Sequence, residues 1–437
     1  MADTADTIFA VASGAGRAAV TLLRLSGPQC GAIVAGLCGR LPAARRASLR
    51  RLRERAGETL DEALVLWFPS PASYTGEDSA ELHLHGGRAV LAAVGDALVA
   101  AGARPAEAGE FTRRAFLNGR LDLLQAEAIA DLVAAETAGQ RRQALRQMDG
   151  ALGTLYGGWA AALTRLLAGE EALIDFPDED LPPEVEAAAA AERDRLAGEI
   201  ARHLDDHHRG ERLREGLTFA ITGPPNAGKS TLLNALAARE VAIVSPLPGT
   251  TRDVLEVRLD LGGVPVVLLD TAGLRVTRDP VEAEGVRRAR TRAAAADLVI
   301  ELVDATAPCP APDQADTPVA PPRLRVASKA DLAPPPAGVD FAVAPPQGLG
   351  LAALRARLAE LARAMTESAG TPPLTRERHR AALITALERL RAAGDAPLPE
   401  LRAEELRLAL RAFGRITGTV GVEEILDSVF GQFCIGK

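Results

Sequence analysis

The chain has 437 residues, 47% hydrophobic and 25% charged, with a formal net charge of −8, which excludes a disordered protein and is typical of two or three folded domains. Its four cysteines include no C-x-x-C pair and no uncharged apolar stretch reaches roughly 18 residues, so a disulfide framework, a zinc site and a membrane span are not indicated. We therefore expect a cytoplasmic protein with no membrane partner. The negative net charge argues against nonspecific binding to nucleic acid, but it does not exclude an RNA that local arginine residues could bind.

The first 118 residues mix strand-like and helical patterns. Short strand-like runs occur at 19–25, 64–68 and 80–84, and the pattern of 88–101 is helical. We expect residues 1–118 to form one domain of α+β or α/β type.

Long helices are predicted in two separated regions. From Leu121 onward apolar residues recur at three-and-four spacing, and 184–209 is rich in Ala, Glu and Arg. Helical periodicity returns at about 374 and continues to about 431. We expect 119–215 and 371–437 to form one discontinuous helical domain.

The predicted helix at 184–209 contains three histidines, His203, His207 and His208. Their i, i+4 spacing is that of a metal site, although no third ligand is evident.

Between these regions the pattern alternates between strands and helices. The predicted order is a strand at 218–222, a glycine loop, a helix at 229–237, hairpin arms at 254–261 and 264–269 joined by Gly262-Gly263, a helix at 281–296, strands at 298–303 and 324–327, and a helix at 351–364. This order predicts an inserted, doubly wound α/β domain over 216–370.

Only three of the 50 Lys+Arg residues are lysines, and Lys229 lies in a phosphate-binding pattern. Residues 223–230 read G-x-x-x-x-G-K-S between a predicted strand and a predicted helix. In this pattern backbone N–H groups face the phosphates, the Lys229 ammonium lies against the β and γ oxygens, and the Ser230 hydroxyl ligates Mg²⁺. The alternative is a glycine-rich turn without a ligand.

Two later segments suit the same nucleotide. Asp270-Thr-Ala-Gly273 follows the second hairpin arm and would bring a carboxylate towards Mg²⁺ and an amide towards the γ-phosphate. The segment 249–253, Gly-Thr-Thr-Arg-Asp, suits a switch loop in which Thr251 ligates Mg²⁺, or else it is a threonine-rich turn. Leu274 occupies the position at which Ras-like GTPases have a glutamine that orients water, so another group must do this here.

Ser328-Lys-Ala-Asp331, which includes the second lysine, resembles the N-K-x-D guanine motif of GTPases. Its carboxylate would accept hydrogen bonds from guanine N1 and N2 and so select GTP over ATP. Serine reaches less far than asparagine, and the later loop at 344–346, Ala-Pro-Pro, departs from the usual S-A-K. A surface lysine turn is the alternative.

Further stretches indicate a family. They are Tyr-Thr-Gly-Glu-Asp at 74–78, with Glu81 and His-Gly-Gly at 85–87; Gly-Glu-Phe-Thr-Arg-Arg-Ala-Phe-Leu-Asn at 109–118, continuing into 121–129; and the terminal Phe-Cys-Ile-Gly-Lys at 433–437. With the nucleotide motifs, they give the chain a resemblance to the MnmE (TrmE) family of tRNA-modifying GTPases over nearly its whole length. The resemblance implies an N-terminal α+β folate-binding domain that dimerises, a discontinuous helical domain and an inserted Ras-like P-loop GTPase domain.

The resemblance also implies the residues of the nucleotide site. The GTP site would comprise Asn226, Ala227, Gly228, Lys229, Ser230, Thr231, Ser245, Pro246, Leu247, Pro248, Gly249, Thr250, Thr251, Asp270, Thr271, Ala272, Gly273, Ser328, Lys329, Ala330 and Asp331. A K⁺ ion would be held by Asn226, Ser245, Leu247 and Thr250 and would supply charge where other GTPases use an arginine. Glu282 would orient the attacking water and act with Lys229 and Thr251 in catalysis. The neighbouring Glu284 is an alternative candidate for orienting the water. A further alternative is that both glutamates are solvent-exposed charges on a helix.

For folate, the family pattern points to Arg24, Glu81, Arg120 and the third lysine, Lys437. A carboxylate suits the N–H edge of a pterin and basic groups suit a glutamyl tail, although each residue could be part of an ordinary surface ion pair. The folate would be 5-formyl- or methylene-tetrahydrofolate. Cys434 is either a small buried hydrophobe or a reactive thiol.

By this resemblance the protein is a homodimeric, K⁺-dependent GTPase. With the FAD-containing flavoprotein MnmG (GidA), in a heterotetramer or larger complex, it would add an aminomethyl or carboxymethylaminomethyl group to C5 of the wobble uridine, U34, of certain tRNAs. One alternative is a regulatory GTPase of ribosome assembly or stress response without folate chemistry. Another is an ATPase with a coincidental Ser-Lys-Ala-Asp turn.

Overall fold

The computed structural model describes residues 6–14, 16–176, 182–224, 226–237, 256–270, 296–308, 321–367, 370–420, 426, 429–431, 433 and 436. The chain divides into two compact units, one made of 1–130, 147–171 and 403–437, and the other of 131–146 and 172–402. Because each unit combines separated segments, neither is a simple run of sequence.

The described strands and helices are as follows. The strands are β1 Thr7–Val11, β2 Ala18–Ser26, β3 Ser48–Arg53, β4 Thr59–Phe68, β5 Ser79–Gly86, β6 Ala103–Pro105, β7 Leu217–Thr222, β8 Glu256–Leu261, β9 Val264–Asp270, β10 Leu298–Asp304, β11 Arg323–Ser328 and β12 Phe341–Ala342. The helices are α1 Cys30–Cys38, α2 Arg88–Ala100, α3 Glu110–Leu117, α4 Leu123–Ala134, α5 Ala138–Met148, α6 Ala151–Asp175, α7 Pro183–Leu204, α8 Arg209–Glu215, α9 Lys229–Ala237, α10 Leu351–Thr366, α11 Glu377–Asp395 and α12 Pro399–Thr417.

The first unit contains a six-stranded sheet in the order β3-β4-β5-β2-β1-β6, antiparallel except for the β1–β6 pair. Residues of alternate strand positions, such as Leu23, Val65 and Leu82, pack against α1 and α2 in a buried core. The intervening positions lie on the opposite face of the sheet. The sequence prediction of mixed strands and helices is confirmed for this region.

The C-terminal residues of the first unit pack on its helices. Phe430 and Phe433 lie in one buried cluster with Leu123 of α4. Gly109 has a φ of 68°, and a Cβ built on it would lie 2.5 Å from the Phe430 carbonyl oxygen, so the two backbones touch. Similarly, a Cβ on Gly436 would lie 2.2 Å from the carbonyl oxygen of Val11. Gly436 therefore lies beside strand β1.

The second unit contains a sheet in the order β12-β11-β10-β7-β9-β8, with β8 as its antiparallel edge and the other pairs parallel. Strand β7 is central and buried between β9 and β10, and residues such as Phe219 and Ile300 pack in a core with α9 and α10. Gly262 and Gly263 close the β8–β9 hairpin with φ values of 67° and 93°, a conformation that strongly favours glycine. The predicted α/β order of the inserted region is confirmed for the described elements; the predicted helix 281–296 lies largely outside the described residues.

One predicted helix ends earlier than expected. The pattern predicted a helix over 184–209, but α7 ends at Leu204, and His207 and His208 have left-handed φ values of 52° and 59°. The prediction is wrong for 205–208, before α8 begins at Arg209, because Asp206 and Glu211 turn towards the buried Arg380 of α11, whose guanidinium binds both carboxylates. The spacing of His203, His207 and His208 is therefore not helical, and it gives no metal-binding face.

Within the ranges that the structure describes, no helix is both long enough and apolar enough to cross a bilayer.

Helix α7 packs against α11, and His203 is buried in this contact near Asp206, His379 and Arg380. Burial lowers the pKa of His203 from 6.5 to about 4, with Asp206 acting in the opposite direction and Arg380 and His379 in the same direction.

His203 should make the stability of the protein depend on pH. Between pH 6.5 and 4 the unfolded chain binds a proton at this position and the folded chain does not, so stabilisation present above pH 6.5 is lost as the pH falls. From pH 7 to pH 5 the expected loss is about 2 kcal/mol. Urea unfolding followed by circular dichroism should show this loss, and His203→Gln should remove it.

The control for this prediction is Arg202→Gln, because Arg202 is an exposed neighbour of His203 on α7 and its replacement leaves His203 in place, so the loss of stability should be retained. An equal loss of stability in the His203→Gln variant and in the unchanged protein would contradict the prediction.

Candidate functional site

The loop between β7 and α9 has the backbone of a phosphate-binding loop. Gly223 has a φ of 143°, and a Cβ on it would lie 2.4 Å from the Leu302 carbonyl oxygen, so a larger residue would collide with β10. Asn226 and Gly228 are also left-handed, with φ values of 65° and 87°. These turns lead the chain into α9, so that N–H groups at the helix start face the loop.

Lys229 lies at the start of α9 and folds back over this loop. Its buried ammonium donates to the carbonyl oxygens of Gly223 and Pro224, each at 2.8 Å. A compact ammonium can make both bonds within this space, whereas a planar guanidinium fork is wider. The geometry therefore holds a positive charge where the loop would receive phosphate oxygens.

Ser230 and Asp270 meet at the same edge of the sheet. The Ser230 hydroxyl donates to the buried Asp270 carboxylate at 2.7 Å. Strands β7 and β9 are parallel with Ile221 opposite Asp270, so the carboxyl end of β9 lies beside the loop that follows β7. A hydroxyl and a carboxylate are oxygen ligands of the kind that Mg²⁺ prefers, so the residues present fit this ion.

The segment that resembles the guanine motif lies next to the phosphate loop. A Cβ built on Gly228 would lie 4.0 Å from Cβ of Ser328, the last residue of β11. The buried Ser328 hydroxyl donates to the Val303 carbonyl oxygen at 3.2 Å. Ser328 therefore braces the ends of β10 and β11.

Lys329 and Asp331 have different surroundings. Lys329 has a φ of 56°, and its ammonium lies 2.5 Å from Asp304 at the end of β10. The hydrogen bond from Lys329 lowers the pKa of Asp304 to about 2. The exposed Asp331 carboxylate accepts a hydrogen bond from the Gln347 side-chain amide at 2.9 Å. Lys329 is thus an ion-paired loop residue, and Asp331 remains accessible to a base.

Other predicted nucleotide-site residues divide into two groups. Ala227 is buried, Thr231 is exposed, and the Ala330 N–H donates to the Val343 carbonyl oxygen at 3.2 Å. The rest lie outside the described residues: Ser245, Pro246, Leu247, Pro248, Gly249, Thr250, Thr251, Thr271, Ala272, Gly273 and Glu282. Of the predicted K⁺ ligands, the structure therefore describes Asn226.

Sequence reasoning missed two residues of this region, Asp304 and Gln347. Asp304 directly follows the predicted strand 298–303, and the rule that ligands bind at the carboxyl ends of parallel strands could have found it. Gln347 has no such signal, because its contact with Asp331 depends on the tertiary position of a loop 16 residues further along.

A second group of predicted residues meets on the sheet of the first unit, on the face opposite α1 and α2. Arg24 and Glu81 lie directly opposite each other on β2 and β5, and their side chains form an ion pair at 2.9 Å. The Arg24 guanidinium lies over the rings of Tyr74 and Phe111, at 5.3 and 5.9 Å from their centroids. The result is a half-buried charged pair beside two aromatic rings.

Arg120 lies close to the same loop as Tyr74. Its Cγ would be 3.1 Å from a Cβ built on Gly76. Lys437 and Cys434 lie outside the described residues, although the neighbouring Gly436 touches the end of β1. The structure therefore brings Arg24 and Glu81 together and puts Arg120 against the adjoining loop.

Comparison with known proteins identifies matches along nearly the whole chain. A family model described as the MnmE helical domain matches residues 123–434, and one described as the GTP-binding protein TrmE N-terminus matches residues 7–120. The first of these models covers more than half of the chain. Both agree with the family resemblance of the sequence motifs.

Similar curated proteins have the same name, tRNA modification GTPase MnmE. The protein of Gluconacetobacter diazotrophicus is 60% identical over 98% of each chain. That of Rhodospirillum rubrum is 58% identical over 99% of this chain and 100% of its own, and that of Granulibacter bethesdensis is 56% identical over 99% of each. This chain therefore belongs to the MnmE family of tRNA modification GTPases.

Proposed function

We propose that this protein, a GTP hydrolase that acts in tRNA modification, binds GTP at the edge of the second sheet where the carboxyl ends of β7, β9 and β11 lie. The observation that supports this site most strongly is the convergence of Lys229, Ser230 and Asp270 there. Lys229 would stabilise negative charge on the β- and γ-phosphates, and Asp331 would accept the N–H groups of guanine. Ser230 and Asp270 would hold Mg²⁺ directly or through water. When bound, Mg²⁺ neutralises charge on the phosphates.

The K⁺ dependence is proposed from the family resemblance. Asn226 would be one K⁺ ligand, with Ser245, Leu247 and Thr250 from a segment outside the described residues. The ion would provide positive charge near the transferred phosphoryl group, where no arginine is evident from the sequence. Glu282 would orient the attacking water, and Thr251 would respond to the γ-phosphate.

For the first unit we propose a folate site at Arg24 and Glu81. Glu81 can accept N–H groups of a pterin, while the rings of Tyr74 and Phe111 provide an apolar wall beside Arg24. Arg120 and Lys437 would bind the carboxylates of the glutamyl tail of 5-formyl- or methylene-tetrahydrofolate. Because Arg24 already satisfies Glu81 in an ion pair, folate binding would exchange part of that interaction for contacts with the ligand.

Exposed aliphatic side chains on the face opposite α1 and α2 support the proposed homodimer. Leu49 and Leu64 lie opposite each other on β3 and β4, and they are 59% and 44% exposed. Val20 on β2 is 56% exposed. The strand register puts all three on the face that presents Arg24 and Glu81. Exposed aliphatic residues on one sheet face favour burial against another protein surface, here a second copy of the chain.

The full proposed reaction requires a partner. With the FAD-containing flavoprotein MnmG, in a heterotetramer or larger complex, the dimer would use the folate carbon to add an aminomethyl or carboxymethylaminomethyl group to C5 of U34 in certain tRNAs. The binding of folate separates this proposal from a regulatory GTPase without folate chemistry. We place the reaction in the cytoplasm.

In cells that lack this protein, the modification at U34 should disappear, as measured by mass spectrometry of tRNA nucleosides. The unchanged gene should restore it. A gene encoding Lys229→Arg should not, because the guanidinium fork does not fit the position between the Gly223 and Pro224 carbonyl oxygens. Persistence of the modification without the protein would contradict the proposed function.

GTP hydrolysis should be faster in KCl than in NaCl at equal ionic strength. Asn226→Gly should remove the difference, and glycine is the suitable replacement because it tolerates the φ of 65°. The expected loss of rate in KCl is roughly 100-fold, as for removal of a single group that stabilises transition-state charge. Equal rates in the two salts would exclude a K⁺ role for Asn226.

Calorimetry on the full chain should detect binding of 5-formyltetrahydrofolate. Glu81→Gln should weaken this binding by at least about tenfold, because a charge-assisted hydrogen bond to the pterin becomes a neutral one. The matched control is Glu62→Gln on the same sheet face, where the Glu62 carboxylate is exposed and 3.9 Å from Arg51. If the unchanged protein does not bind folate, the regulatory GTPase becomes the better interpretation.

A further inference from the structure

The loop after β12 has no backbone N–H available for a base. The N–H groups of Val343, Ala344, Gln347 and Gly348 donate to carbonyl oxygens of Ala327, Leu349, Ala344 and Pro345, respectively, at 2.8, 3.0, 3.1 and 3.1 Å. The two remaining residues, Pro345 and Pro346, have no N–H. Between 343 and 348, a donor to a bound base must therefore come from a side chain.

A guanine bound at Asp331 needs such a donor. Its N1–H and N2–H groups would face the carboxylate, and this leaves the adjacent O6, an acceptor, beside Asp331. An acceptor that loses its water without gaining a partner costs free energy comparable to a lost hydrogen bond. The Gln347 amide nitrogen also lies beside the Asp331 carboxylate, 2.9 Å from its Oδ2, where it could donate to that O6.

Gln347 has the chemistry and the placement for this role. Its Nε2 donates to Asp331 Oδ2 at 2.9 Å, and a carboxamide nitrogen has a second hydrogen for another acceptor. The bond to Asp331 also determines the orientation of the amide, since the carboxylate accepts from nitrogen and not from the amide oxygen. Both residues are exposed, and the turn Pro345–Gln347 contacts α9, the helix that begins at Lys229.

We propose that Gln347 is a specificity residue that donates a hydrogen bond to O6 of guanine while it orients the Asp331 carboxylate. This inference rests on the proposed guanine-nucleotide site. Adenine presents an amino group where guanine has O6, so the Gln347 donor would face another donor. Reversal of the amide would relieve that conflict but would break the bond to Asp331. Gln347 and Asp331 therefore discriminate together against adenine.

The test compares nucleotide affinities while the atom at position 6 of the base and the side chain at position 347 are changed separately. GDP and 6-thio-GDP are titrated against the full chain and against Gln347→Leu in competition with a fluorescent GDP analogue. Sulfur at position 6 is a weak acceptor, so the unchanged protein should bind GDP about tenfold more tightly than 6-thio-GDP. In Gln347→Leu the affinity for GDP should fall, and the two affinities should become nearly equal.

A role limited to loop stability would change both affinities without changing their ratio. The matched control is Leu349→Ala in the same loop, where Leu349 is 53% exposed and its backbone bonds to Ala344 are retained. It should leave the ratio near tenfold. IDP, which keeps O6 but lacks the N2 amine, should be weakened by Gln347→Leu as GDP is.

The inference is overturned if the unchanged protein binds GDP and 6-thio-GDP equally, a result that requires no variant to fold. It is also overturned if Gln347→Leu keeps the tenfold ratio. In both cases GDP binding by the unchanged protein would leave the proposed guanine-nucleotide site intact. A lack of GDP binding by the unchanged protein would overturn both the site and the role of Gln347.

Discussion

The proposed nucleotide site depends on the parallel pairing of β7 with its two neighbours, β9 and β10. Parallel strands present their carboxyl ends at one edge, and here the register puts Ile221 beside Asp270 and Asp304 beside Ser328. The loop at 223–230, the Asp270 carboxylate and the loop at 328–331 thus lie at one edge of the sheet, although the first and last of them are about 100 residues apart in sequence.

This edge is stabilised by polar contacts that also define the chemistry. Lys229 binds the carbonyl oxygens of its own loop, Ser230 binds Asp270, and Lys329 binds Asp304. Each charged or hydroxyl group that is buried here has a partner, which limits the cost of removing it from water. The same partners hold the side chains in the positions that the proposed nucleotide site requires.

The antiparallel sheet of the first unit brings charged residues together in another way. Arg24 and Glu81 face each other because β2 and β5 pair in a fixed register, and the alternation of side chains puts both on the face opposite α1 and α2. The exposed Val20, Leu49 and Leu64 lie on that same face. A ligand site and a surface suited to a second copy would therefore share one side of the sheet.

Much of this organisation could be predicted from local patterns. Residues 223–230, the Gly262-Gly263 hairpin and the strand ending at Asp270 depend on short-range backbone preferences, and the structure has the strands and helices expected there. The end of α7 could not be predicted, because Arg380 lies about 170 residues away and its pairing with Asp206 and Glu211 outweighs the helical propensity of 205–209.

The three lysines show where sequence information ends. The sequence alone placed Lys229 in a glycine loop between a strand and a helix, as the structure has it, because the spacing of glycine, lysine and serine is a local pattern. The ion-pair partner of Lys329 was decided by the tertiary structure, in which Asp304 lies at the end of the neighbouring strand. The same is true of Ser328, which braces Val303, and of Gln347, which contacts Asp331. These contacts join segments that meet only when the sheet forms, so no local pattern could specify them.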